Sequence, residues 1–176
     1  MIQIIKVVDN FYIILLAYLK LLYIFVQNII YMKAKEYICI DFDGTCVTHD
    51  FPLVGKDIGA IPVLKHLVES GHKLILFTMR SDIEKVDSND YNIHKTGGNY
   101  LSDAINWFKE NGIELFGINE NPTQKRWTKS TKAYGHLYID DAALGCPLVM
   151  DEEFSTRPFA NWNEINHYLE INGYFN

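Results

Sequence analysis

The nine residues from Tyr37 to Thr45, YICIDFDGT, decide the fold. Tyr37 to Ile40 is a short continuous apolar run, as expected of a strand covered on both faces, and it runs straight into Asp41 and Asp43 before a Gly-Thr turn. Open α/β sheets bind ligands beyond the carboxyl ends of their strands, so an apolar strand with an acidic tip places chemistry there. Working outward, short apolar runs alternate with helical periodicity to the end of the chain, the pattern of an α/β domain with a mostly parallel sheet. Five strands are predicted, at Tyr37–Phe42, Lys73–Thr78 (KLILFT), Leu115–Ile118, His136–Asp140 (HLYID) and Pro147–Met150. Helices are predicted at Asp57–Glu69, Tyr100–Glu110 and Asn161–Ile171. Pro62 fits only a first helical turn, which moves the regular start of the first helix towards Ala60. The expected architecture is a Rossmann-like, three-layer domain over residues 34–176 with a five-stranded sheet. The loop Asn121–Thr131 and a long polar stretch, Ser81–Asn99, complete it.

Composition narrows the function. The chain has 176 residues, 16 Lys plus Arg against 22 Asp plus Glu, and a net charge of −6. No run of basic residues is present to displace counterions from a duplex, so no nucleic-acid partner is expected. Cys39, Cys46 and Cys146 do not have paired zinc spacing, and an odd count suits reduced thiols; they read as small packing residues in a cytoplasmic protein. The six His are scattered, with none paired at metal-ligand spacing.

Residues 1–33 differ from the rest. Phe11–Met32 (FYIILLAYLKLLYIFVQNIIYM) has only Lys20, Gln27 and Asn28 as non-apolar members. Its length suits a membrane span, but a central Lys costs about +3 kcal/mol and leaves insertion marginal. Three readings stay open: an extension ahead of a start at Met32, a membrane or interfacial anchor over residues 11–32, and a helix docked in the core. The second would make the protein membrane-anchored.

A second acidic pair, Asp140-Asp141, ends the HLYID run. Carboxylates brought together from two strand ends repel unless a cation lies between them, and an all-oxygen set of few ligands suits Mg²⁺. Either pair alone also reads as an ordinary turn former, Asp43 before Gly44 above all.

In order along the chain, these residues resemble the motifs of the haloacid-dehalogenase-like hydrolase superfamily, over about residues 36–150. Asp41-Phe42-Asp43-Gly44-Thr45 resembles its first motif, Thr78 its second, Lys132 the lysine of its third, and Asp140-Asp141 its acidic fourth. The resemblance implies a Mg²⁺-dependent phosphatase acting on a small phosphorylated substrate through an aspartyl-phosphate. It implies Asp41 as nucleophile and Asp43 as general acid and base, the latter through a pKa raised by carboxylate crowding. Thr78 would donate to a phosphoryl oxygen and Lys132 would balance charge; Lys125 and Lys129 are alternatives for that lysine. Metal ligands would be Asp41, the main-chain carbonyl of Asp43, and Asp140; Asp141 binds metal through water or holds Lys132, and spacing leaves both open. Gly44, Thr45 and Arg80 are the expected substrate contacts.

The family varies its specificity through inserted caps. Thr45 to Thr78 and the third strand to Lys132 are both too short to hold one, so a capless member is expected. For the stretch Ser81–Asn99, with Arg80 at its base and His94 or Lys95 within it, two readings stay open: a loop that partly covers the site and reads the substrate, and a mobile surface insertion. Competing functions fit less well. A phosphate-receiver domain places its acidic pair first, whereas here the pair comes last. A metal-dependent glycosyltransferase needs a larger nucleotide-sugar domain, and a non-catalytic scaffold has no use for four filled motif positions.

Overall fold

A computed structural model describes residues 14–23, 35–84 and 97–175. The chain divides into two compact units, Lys35–Phe175 and Met1–Ala34 with Asn176. In the second, residues 14–23 are helical, and Ile14, Leu16, Tyr18, Leu21 and Tyr23 are all exposed. No helix among the described residues is long and apolar enough to cross a membrane.

Lys35–Phe175 is built on a parallel sheet of four strands: β1 (Tyr37–Ile40), β2 (Lys73–Leu76), β5 (Leu115–Ile118) and β6 (Leu137–Ile139), in the order β5-β2-β1-β6. Two short antiparallel pairs flank it, β3 (Asp82–Ile83) with β4 (Gly98–Asn99), and β7 (Leu148–Val149) with β8 (Phe159–Ala160). The central strand β1 pairs on both sides, Ile40 opposite Leu76 and Ile139, and Ile38, Cys39 and Ile40 are buried. Side chains alternate between faces. Ile38, Ile40 and Phe42 join Leu74, Leu76 and Ile139 in the main core, against helices α1 (Ala60–Glu69), α2 (Tyr100–Glu110) and α3 (Trp162–Ile171). Cys39 and Ile75 face the other way, against Ala133, Phe77, Phe116 and Tyr138. Burial pushes the Cys39 thiol up to about 11, and Cys46 is raised too, so both act as small packing residues.

Helix starts follow local chemistry. Asp57 accepts from the N–H groups of Gly59 and Ile61 and so caps α1, with Gly59 at φ 94°. Asp82 accepts from the N–H groups of Leu101 and Ser102 and from the Ser102 hydroxyl, which anchors α2. Asn161 caps α3 by accepting from Glu164 N–H, while its own amide donates to the Glu164 carboxylate.

Two expectations are corrected. The sheet has four strands, not five: Leu148–Val149 is extended but pairs with Phe159–Ala160 rather than with β6. A hydrogen-bonded turn after Asp140, with Ala143 N–H donating to its carbonyl and Cys146 N–H to that of Ala143, carries the chain away from the β6 edge. The third layer is also reduced. Among the described residues, the second face of the sheet meets the 119–136 connection, which holds one 3-10 turn at Gln124–Arg126 and no α-helix. That connection lacks an apolar period, and buried amides hold it instead. Asn121 Nδ2 donates to the Tyr134 carbonyl, and Gln124 Nε2 donates to the carbonyls of Ser130 and Lys132.

The strands stop just short of the residues singled out from sequence. Asp41 N–H donates to the Ile139 carbonyl, Phe77 N–H to Ile40 and Asn119 N–H to Leu76, so Asp41, Thr78 and Asp140 all lie beyond the carboxyl edge.

Candidate active site

Because β1 and β6 are adjacent, parallel and in register at Ile40 and Ile139, the residues that follow them emerge side by side. Asp41, Asp140 and Asp141 each bring one carboxylate oxygen to within 4.8 Å of the others. Thr45 stitches the group together. Its hydroxyl lies 3.3 Å from both Asp41 Oδ2 and Asp141 Oδ1, and accepts from Asp141 N–H at 2.9 Å. Its single proton can serve only one carboxylate at a time. Thr45 is wholly buried and its carbonyl accepts from the Trp162 indole at 2.6 Å, so it builds the site from within rather than meeting substrate. Gly44 is needed for backbone reasons. At φ 79° it turns the loop, and a Cβ there would sit 2.2 Å from His49 Cε1 and 2.7 Å from Asp141 Oδ2.

Burial, reinforced by the charges of Asp140, Asp141 and Asp43, pushes the Asp41 carboxyl up to about 7. Asp141 is also raised, by burial first, with the nearby His49 working against it. Three carboxylates gathered at one point make a favourable place for a hard cation, and the all-oxygen donor set fits Mg²⁺. A stability test follows from the direction of the Asp41 shift. The folded carboxyl holds its proton more tightly than the unfolded chain does, so its contribution is complete below the ordinary value of 3.8 and is lost as pH rises through about 7. In EDTA-treated protein the ionised Asp41 should cost roughly 2–4 kcal/mol at pH 8. Asp41→Asn is therefore expected to be more stable than wild type to urea at pH 8, with the gap narrowing at pH 5. An equal gap at both values would remove this account of the cluster.

Asp43 lies apart from the three. Arg80 Nε donates to its Oδ2 at 2.7 Å and Nη2 to its Oδ1 at 2.6 Å. The side chain of Asp43 is held by this fork-shaped ion pair. Arg80 is itself held in place by several partners. Expected to contact substrate, it is only 3% exposed, and it also donates to the carbonyls of Leu53 at 2.7 Å and Tyr100 at 3.4 Å. Its guanidinium packs 4.9 Å from the Phe42 ring centre and 5.2 Å from that of Phe51.

Thr78 follows β2 at the same edge. Its N–H donates to Asn119 Oδ1 and its hydroxyl accepts from Arg80 N–H, which leaves the hydroxyl proton free to donate. Lys132 is on the Tyr138 side of the sheet, its ammonium 5.3 Å above that ring, and makes no ion pair with the acidic trio among the described residues. Lys125 is exposed and pairs with Glu120 at 2.8 Å. His94 and Lys95 lie outside the described residues.

Sequence reasoning missed His49 and Asn119. His49 Nε2 lies 3.1 Å from the Pro158 carbonyl, which only accepts, and 3.3 Å from Asp141 Oδ2, so this nitrogen carries hydrogen and steadies Asp141. Nothing in the scattered His pattern marks it. Asn119, at φ 53°, orients the Thr78 backbone; the only available cue was the tolerance of Asn for left-handed turns. A cavity of about 290 Å³ beside β6 is lined mainly by apolar groups, among them Leu137, Ile139, Ile165 and Leu169, and holds none of the acidic trio.

A solved structure of a conserved protein coded by a locus of Bacteroides thetaiotaomicron is similar to this chain, with a TM-score of 0.57 and 27% identity. The match covers 78% of this chain and 92% of that one. No family model and no curated protein matches the chain.

Proposed function

We propose that this chain is a Mg²⁺-dependent phosphatase that hydrolyses a phosphomonoester through an aspartyl-phosphate, with the fold of a small, capless haloacid-dehalogenase-like hydrolase. The observation that carries this reading is the convergence of Asp41, the first residue of DFDGT, with Asp140 and Asp141 at one sheet edge. Mg²⁺ held by Asp41, Asp140, Asp141 and the main-chain carbonyl of Asp43 would screen the repulsion between a carboxylate nucleophile and a phosphate dianion.

The residues then divide the work. An Asp41 carboxylate oxygen forms a bond to phosphorus as the bond to the ester oxygen breaks, and protonated Asp43 gives its proton to that oxygen, releasing an alcohol. Protonation costs Asp43 one of its two bonds to Arg80; the remaining bond keeps the side chain aimed. Water next attacks phosphorus, Asp43 takes its proton, and the bond from phosphorus to Asp41 breaks to release phosphate. The Thr78 hydroxyl donates to a phosphoryl oxygen, and Lys132 swings from the Tyr138 ring to balance charge.

A panel of phosphomonoesters assayed with and without Mg²⁺ tests the reading. Hydrolysis is expected with Mg²⁺, to disappear in EDTA, and to return on adding the metal back. Turnover that survives EDTA undiminished would reject the metal-assisted mechanism.

A further inference from the structure

The phosphatase reading places the leaving oxygen on the Asp43 side of the site, and the surface fixed to that side is apolar. One guanidinium makes the connection. Arg80 binds both oxygens of Asp43, donates to the Leu53 carbonyl at 2.7 Å and lies against the Phe51 ring. The proton donor and the 51–54 loop are therefore held together by a single buried side chain. Met79 stands between Thr78 and Arg80 in the chain and is 97% exposed. Leu53 is 73% exposed, Phe51 43%, and Val54 is exposed too. Phe51 thus packs on Arg80 and Leu53 is tied to it through its carbonyl, Val54 and Met79 adjoin these residues in the chain, and all four offer apolar surface to solvent.

Arg80 is the cation a polar leaving group would want here, but its donors are directed to Asp43, Leu53 and Tyr100, and it is buried. Sugar hydroxyls or a nucleotide phosphate set against this lip would lose water and gain little in return. An alkyl or arylalkyl group would instead remove apolar surface from water on both sides. We infer that the substrate is a phosphomonoester of an apolar alcohol, read through its leaving group by Phe51, Leu53, Val54 and Met79. This rests on the phosphatase reading and names the substrate class of the same site.

The test compares 2-phenylethyl phosphate with glycerol 3-phosphate and glucose 6-phosphate in Mg²⁺. All three release a primary alcohol, so intrinsic reactivity does not sort them. Wild-type kcat/KM is expected to favour 2-phenylethyl phosphate by on the order of 10-fold or more, the scale of a small apolar contact in a binding pocket. In Leu53→Ser/Met79→Ser, whose altered side chains are exposed and whose melting temperature should match wild type, that ratio is expected to fall towards one. Preference for either polar ester in the wild type overturns the inference while leaving the phosphatase reading intact. A ratio that persists in the double variant also overturns it, since the lip is then not the reader. Failure to hydrolyse any of the three, or any other phosphomonoester, overturns the phosphatase reading and this inference together.

Discussion

Asp41→Asn is expected to lower turnover by at least about 10⁴-fold while leaving the protein folded. The size of the effect follows from the proposed role: an amide cannot form the acyl-phosphate, and no other carboxylate can take its place. Asp43 is tied to Arg80, and Asp140 and Asp141 come from the other strand end. Loss of activity alone would not separate chemistry from misfolding. Here the two move in opposite directions, because removing one of three crowded carboxylates relieves repulsion that burial makes costly. The variant should therefore be inactive and, without metal at neutral pH, more stable than wild type. A second readout is a phosphoenzyme labile to hydroxylamine, expected in rapid-quench samples of wild type and missing from the variant. Near-wild-type hydrolysis by purified Asp41→Asn would sink the mechanism.

The parts of this site that could be read in advance are those with a short-range cause. A continuous apolar run ending in DFDGT specifies a buried strand and an acidic turn within nine residues, and YIDD repeats the signal one strand over. Parallel pairing then brings Asp41 and Asp140 together once the two strands are neighbours. The helix over Tyr100–Glu110 was legible in the same way, from helical periodicity within a short segment.

What escaped the sequence depends on distant partners. Leu148–Val149 has strand-forming residues, yet strand propensity does not choose the partner strand, and the turn after Asp140 delivered it to Phe159–Ala160. The 119–136 connection has no period because buried Asn121 and Gln124, not an apolar stripe, hold it. The partner of Arg80 was hidden for the same reason. A basic residue beside a motif looks like a substrate contact, and nothing local reveals that Asp43, 37 positions earlier, already occupies it.

That pair sets the second large effect, on stability. Arg80→Met is expected to cost roughly 3–5 kcal/mol, the usual range for removing one partner of a buried ion pair and leaving the other unmatched. The side chain of Arg80 is 1% exposed and that of Asp43 22%, so water can recover only part of what Asp43 loses. The same change frees the Leu53 carbonyl and removes a cation from between Phe42 and Phe51, which methionine fills with bulk but not with donors. If the penalty is mainly an orphaned carboxylate, Asp43→Asn in the Arg80→Met background should restore part of the stability, although Asp43→Asn alone destabilises. Urea unfolding of the four proteins closes this cycle, and a coupling of about 1–3 kcal/mol is expected between residues in direct contact. Additive losses would mean that Arg80 stabilises the fold through Leu53, Tyr100 and the two rings independently of Asp43. Asp43, the proposed proton donor, would then need some other support for its position.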